Sequence, residues 1–245
     1  TSSAAESPNK TVVFAPITPQ RNRNVPIHLF EDIQETPSPQ QPQVPDNPIQ
    51  KDYLDLIIER RAKLAQENQS NKSTKVYNID RFDPERPPFT KNTPAKDVIA
   101  IFSQLKNGDQ YANHLLFKYE KKFIETKIAK VIFKFGKLYD LRSDGDPDQN
   151  KSKAMEYYII SANLGYAKAQ GYYGSALQRG KEIPLNAELG FQYLEKSALQ
   201  GDLNGISNYG LATYMGDGTQ KNEVLGLKYL KYAADEGYVF AMLYL

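Results

Sequence analysis

Few side chains in this sequence could carry covalent chemistry, and they do not gather. There are two histidines, His28 and His114, and no cysteine. A thiolate nucleophile, a thiolate metal site and a disulfide framework are therefore excluded. Neither histidine has the third group that would orient a serine–histidine pair. Asp144, Asp146 and Asp148 flank Gly145 in a superficial likeness of a calcium loop. The glycine falls at the wrong place, and no glutamate closes the loop. Gly216-Asp217-Gly218 lacks the Gly and Lys that complete a phosphate-binding loop. No metal, cofactor or catalytic residue is expected. The sequence does offer phosphoacceptors. Thr18-Pro19-Gln20-Arg21 and Thr93-Pro94-Ala95-Lys96 have the form Ser/Thr-Pro-x-Lys/Arg, which proline-directed kinases of the cyclin-dependent type read. Ser7-Pro8, Thr36-Pro37 and Ser38-Pro39 are minimal versions. A phosphate there adds about 1.5 to 2 negative charges beside Arg21 or Lys96. Asn-x-Ser/Thr triplets at Asn9, Asn68, Asn71 and Asn150 are expected by chance in so asparagine-rich a chain.

The elements behind these residues follow from a repeat. Offset by 36 positions, the chain aligns with itself from Asn150 to Gly237. Gly165, Gly201 and Gly237 coincide, as do Ala162, Ala198 and Ala234, and Tyr157, Tyr193 and Tyr229. Gly174 coincides with Gly210, and Asn150 with Asn186 and Asn222. A fixed period of this length marks a stacked solenoid. Within the unit from Ala167 to Gly201, Ala169, Tyr173, Gly174 and Leu177 recur at helical spacing, and Gly180 ends that helix. Asn186 caps a second helix, and Asn150 is expected to cap its equivalent. Glycines inside helices cost about 1 kcal/mol relative to alanine. Gly174 and Gly210 must therefore serve close helix approach, with tyrosines of the second helices beside them.

These residues carry a resemblance. Ala169, Tyr173-Gly174, Leu177, Gly180, Asn186, Gly190, Tyr193, Ser197-Ala198 and Gly201 resemble the Sel1-like repeat, an α/α relative of the tetratricopeptide repeat. Gly205, Tyr209-Gly210, Gly216, Asn222, Gly226, Tyr229, Ala233-Ala234 and Gly237 repeat the pattern. Phe135-Gly136, Tyr139, Asn150, Ala154, Tyr157, Ser161-Ala162 and Gly165 form an earlier copy with two extra residues in its turn. The resemblance covers residues 129–245, with a fourth unit cut partway along its first helix. It implies an all-α solenoid of helix-turn-helix units acting as a protein-binding adaptor. The first helices would line a concave groove, with Gln170, Tyr172, Ser175, Gln178, Asn208, Leu211 and Tyr214 as lining residues.

Ahead of the repeats the composition changes. Every proline except Pro147 and Pro184 lies at or before Pro94. Residues 1–93 are expected to be a disordered tail, because such a composition buries too little apolar surface to offset ordering. Within it, residues 52–66 form an amphipathic stripe of Tyr53, Leu54, Ile57, Ile58, Arg61, Leu64 and Ala65. That helix either folds on a partner's groove or packs on this chain's own solenoid. Residues 94–128 lack the repeat glycines and read as a degenerate capping pair, Ala95 to Lys106 and Gln110 to Thr126.

Mean hydropathy is −0.61, low for one globular body. The net charge of +2 argues for no dedicated nucleic-acid surface. A phosphorylatable tail ahead of such repeats resembles fungal regulatory members, which activate chitin synthase or regulate kinases. That likeness implies a cytoplasmic protein that partners bring to the cell cortex or membrane. An endoplasmic-reticulum adaptor in protein degradation is the alternative. A third class, the Sel1-like β-lactamases, is rich in cysteines that this chain lacks.

Overall fold

The computed structural model describes residues 52–70 (side chains to Gln66), 75–142 and 146–245. Backbone contacts divide the chain into Thr1–Gln43 and Val44–Leu245, and the described residues all lie in the second unit. In chain order they form α1 (Leu54–Ser70), α2 (Ala95–Asn107), α3 (Gln110–Lys118), α4 (Glu120–Glu125), α5 (Ala129–Asp140) and α6 (Pro147–Asn163). Then follow α7 (Ala167–Arg179), α8 (Ala187–Leu199), α9 (Leu203–Met215), α10 (Glu223–Asp235) and α11 (Val239–Met242). Among the described residues there is no strand, only an isolated bridge between Asp83 and Arg86.

From α5 onward the chain is an all-α solenoid. Helices pair as α5 with α6, α7 with α8 and α9 with α10, and each pair stacks on the next. The turns explain the pairing. Gly180 and Gly216 end α7 and α9 with φ of 62° and 79°, a conformation that favours glycine. Asn186 and Asn222 then start α8 and α10, their side chains accepting from the amides of Leu189 and Leu225 at 3.0 Å each. Asn150 behaves differently. α6 begins earlier, because Pro147 suits a first helical turn and Asp146 caps it by accepting from the Asp148 amide at 2.9 Å. Asn150 therefore lies inside the helix rather than at its cap.

Small residues set the spacing between helices. A Cβ on Gly210 would lie 2.8 Å from Tyr229 Cβ, and one on Gly136 would lie 2.6 Å from the Tyr158 ring. Beside Gly174 the neighbour is Leu194 with the Gly190 carbonyl, not a tyrosine. Ala162, Ala198 and Ala234 are buried, while Gly165, Gly201 and Gly237 follow the second helices at positive φ. A serine ladder crosses the stack: Ser161 donates to the Ala129 carbonyl and Ser197 to the Ala167 carbonyl, both at 2.7 Å. α7 also packs on α9, whereas α8 and α10 make no comparable contact. The first helices therefore crowd the inner side of the stack, and the second helices spread on the outer side.

The region before the repeats differs from expectation in two ways. First, residues 75–93 belong to the folded body. Phe89 is buried and stacks on Phe123, and Tyr77, Ile79 and Phe82 pack against the same core. These aromatic and aliphatic anchors outweigh the prolines between them. Second, the second capping helix is divided at Tyr119, which leaves helical geometry with φ −88° and ψ 1°. Its buried hydroxyl donates to the Asp83 carbonyl, fastening residues 75–93 to the cap. Of the two places open to it, α1 lies on this chain's own repeats. Leu54 and Ile57 are buried in the core formed by α8, α9 and α10. Burying each contributes about 1.5–3 kcal/mol, support that an isolated helix of this length lacks in water.

Candidate protein-interaction face

The inner helices each present one stripe at spacings of four, three and four residues, one face of a helix. On α5 and just beyond it the stripe is Lys130, Lys134, Lys137 and Leu141. On α7 it is Lys168, Tyr172, Ser175 and Arg179, and on α9 it is Asn204, Asn208, Leu211 and Met215. All twelve are half-buried or exposed, while the residues between them turn mostly inward. The α5 and α7 stripes meet where Lys137 lies over the Tyr172 ring, and α7 packs on α9.

The face changes character along the stack. At its start, Lys134 is half-buried, with Nζ 3.1 Å from Ser103 Oγ and 5.2 Å from the Phe102 ring centre. Burial, then the charges of Lys130 and Lys106, lower its pKa below the ordinary lysine value. None of these three lysines forms an ion pair among the described residues. Next, Lys137 sits 4.9 Å from the Tyr172 ring centre while paired with Asp140 at 3.1 Å. Tyr172 packs edge-on against Phe133 at 5.5 Å. Further on, amides replace charge. Asn208 donates to the Asn204 carbonyl at 2.9 Å, and Asn204 donates to the Tyr238 hydroxyl at 2.7 Å.

Of the seven lining residues expected from sequence, Tyr172, Ser175, Asn208 and Leu211 lie on these stripes. Gln170 does not. It is buried, donating to the Ala162 carbonyl at 3.3 Å and accepting from Gln200 at 2.7 Å. Gln170 therefore joins repeats rather than meeting a ligand. Gln178 and Tyr214 occupy equivalent positions beside the turns. Gln178 donates to the Asp217 carbonyl at 3.2 Å, and the backbone of Tyr214 approaches Gly226. Sequence reasoning missed Lys130, Lys134, Lys137, Lys168 and Arg179. The four-and-three spacing of three lysines in α5 was the available signal.

The phosphoacceptors Thr18, Thr36 and Ser38 lie outside the described residues. Thr93 lies within them, half-buried in a turn. Its Oγ1 accepts from the Thr90 amide at 2.9 Å, and its amide donates to the Thr90 carbonyl at 3.0 Å.

The most polar interior cluster joins the cap to the first repeat. Glu120 accepts from Tyr139 at 2.9 Å and from Tyr157, and pairs with Lys153 at 3.2 Å. Burial and then Glu120 raise the Tyr157 hydroxyl well above the ordinary tyrosine value. Every group here has a partner, so the cluster acts as a clasp. His114 lies on the rim of the adjacent cleft with Asn113, Phe117 and Arg142. Among the described residues no group of three His, Cys, Asp or Glu is placed to hold a metal. No described helix is long and apolar enough to cross a membrane.

Comparison with known proteins agrees with this geometry. The family model described as Sel1 repeat matches residues 136–166, 167–202 and 205–238. These segments resemble Sel1 repeats. The first match ends in the α6–α7 turn and the second in the α8–α9 turn, where one helix pair gives way to the next. Among solved structures, c5321, a protective antigen of uropathogenic Escherichia coli strains displaying an SLR fold, is 17% identical with a TM-score of 0.51. That match covers 74% of this chain, which spans 34% of the antigen, and it bears on the fold alone. A Sel1 repeat protein from Oxalobacter formigenes is 21% identical over 61% of this chain and 97% of its own, with a TM-score of 0.43. Helicobacter pylori cysteine rich protein B is 22% identical over 51% of this chain and 96% of its own, with a TM-score of 0.36. No curated protein sequence gives a significant match. Sel1 repeats generally mediate protein–protein interaction and are typically non-catalytic.

Proposed function

We propose that this chain is a non-catalytic scaffold that binds a partner protein across the stripes of α5, α7 and α9. An acidic segment of the partner would sit on the α5 end, and less charged residues would lie on the Asn208 and Leu211 end. The observation that carries this reading is the group of Lys106, Lys130 and Lys134, none of which forms an ion pair among the described residues. Like charges placed together cost stability unless a ligand offsets them, and such a patch steers and orients an oppositely charged partner. The test is affinity capture with the full chain and with Lys130→Glu/Lys134→Glu. A partner retained by the first and lost by the second, with binding that weakens as salt rises, supports the reading. Equal retention by both contradicts it.

Within this reading, the partner is an enzyme under regulation, such as a chitin synthase or a kinase, reached at the cell cortex or membrane. Support comes from the tail alone, where Thr18, Thr36 and Ser38 precede prolines. Phosphates there would change the charge of that segment. Chitin synthesis by isolated membranes, with and without the purified chain, tests the first case. No stimulation at saturating chain removes it.

A further inference from the structure

The outer side of the repeats carries a second built surface, the groove between α8 and α10 that α1 fills. α1 is fastened at its start and near its middle. At its start, Asp52 pairs with Lys228, and the Tyr53 amide donates to the Tyr229 hydroxyl at 2.7 Å. Further along, the Arg61 guanidinium donates to the Gly201 carbonyl at 2.8 Å and pairs with Glu236 at 2.7 Å. Leu54 and Ile57 fill the space between these anchors. Gly201 admits Arg61, whose Cγ would lie 2.8 Å from a Cβ there.

The internal repeat supplies a control. One unit earlier, the positions in register with Lys228, Tyr229 and Glu236 are Gln192, Tyr193 and Gln200. Neither charge is present in that groove, and the Tyr193 hydroxyl is already committed to Asn163 at 2.8 Å. Around Gly165, in register with Gly201, nothing approaches a would-be Cβ within 4 Å. Repeat packing alone requires the shared tyrosine and glycine, so the added Lys228 and Glu236 belong to the ligand rather than to the solenoid.

We propose that the α8–α10 groove is a helix-binding site, that α1 is its intramolecular occupant, and that its partner in trans is an amphipathic helix of α1's chemistry. Such a helix carries a carboxylate and tyrosine at its start, leucine and isoleucine three residues apart, and an arginine four residues later. This is helix-in-groove recognition, with apolar anchors for affinity and end charges for direction. It goes beyond the inner-face reading and does not depend on it, because none of these groove residues lies on the α5, α7 or α9 stripes.

The experiment uses the full chain with Leu54→Asp/Ile57→Asp, which releases α1 while leaving the groove intact. A fluorescent peptide of residues 52–70 is titrated onto it. The proposal expects saturable one-to-one binding, at least about tenfold tighter than to the unaltered chain, where α1 competes. Glu236→Arg in the recipient should weaken binding about fivefold, and a peptide carrying Arg61→Glu should restore it. The milder Arg61→Glu chain, which keeps both apolar anchors, should accept the wild-type peptide to an intermediate degree. No saturable binding to either altered chain, equal affinity for altered and unaltered chains, or indifference to Glu236→Arg overturns the proposal. A dimer that Ile57→Asp dissociates would seat a second copy's α1 in the groove and overturn the intramolecular arrangement.

Discussion

The amide of Tyr53 and the hydroxyl of Tyr229 meet at 2.7 Å although 176 positions separate them in the chain. That one contact joins the region ahead of the repeats to the third repeat. Tyr229 is fully buried by it and by the packing of Tyr209, whose ring centre lies 5.0 Å away.

Tyr229→Phe keeps the ring and removes the acceptor. The Tyr53 amide then loses its partner, at a cost of about 1 kcal/mol. Hydrogen exchange should accelerate over α1 while the cap helices α2 and α3 stay protected. Unchanged exchange in α1 would show that the hydroxyl does not hold it.

Acid should act on the same junction. Lys228, first through its hydrogen bond, holds the Asp52 carboxyl below its ordinary value of 3.8. A depressed carboxyl contributes stability that is present above the ordinary value and is lost as pH falls through the lower, folded one. α1 should therefore loosen below about pH 4, and Asp52→Asn should remove that step. Exchange rates in α1 across the acid range provide the check.

Alkali should act on the core. Burial raises the hydroxyls of Tyr157, Tyr158, Tyr209 and Tyr229 above the ordinary 10.0, with neighbouring charges adding to it. The unfolded chain ionises at the ordinary value and the folded chain does not. The stabilisation from these groups is therefore complete below about pH 10 and is lost as pH rises beyond it. Tyrosinate absorbance from these four should appear together with unfolding. A smooth titration of the folded protein near the ordinary value would contradict this.

The stacking itself was legible from the period of 36 and its glycines, because helix contact needs small residues at fixed places. Asn186 was readable as a cap because its side-chain oxygen can accept a first-turn amide, and Asn222 stands in register with it. What escaped was context. Asp146 and Pro147 displaced Asn150 as the start of α6, which a capping pattern fixed by alignment does not anticipate. Phe89 and Tyr119 are single aromatics whose partners lie in other segments, so composition counted residues 75–93 as tail. Gln170 looked like a surface amide, but its neighbours Ala162 and Gln200 come from two different helices. The lysine stripe of α5 was visible as spacing, yet only the packing of α2 beside it shows Lys106 joining Lys130 and Lys134.

Packing at the repeat boundary gives a sharper mutational test. A Cβ on Gly205 would lie 2.1 Å from Ser197 Oγ and 2.9 Å from the Ala198 amide nitrogen. Gly205→Ala should therefore destabilise by about 1–3 kcal/mol, despite alanine's better helix propensity. In contrast, Thr213 is fully buried and its Oγ1 has no hydrogen-bond partner among the described residues. Thr213→Val should be neutral or stabilising by up to about 1 kcal/mol. Urea unfolding of the two variants measures both effects, and the reverse order would refute the packing account.

The account turns most on the inner stripes as the place where a partner binds. The direct measurement is the dissociation constant of a captured partner for the full chain and for Lys130→Glu/Lys134→Glu/Tyr172→Ala, with the fold of both verified by circular dichroism. The account predicts a loss of at least about 1.4 kcal/mol, tenfold in affinity, concentrated at low salt. An unchanged constant in a folded variant, or a loss that salt does not alter, would contradict it.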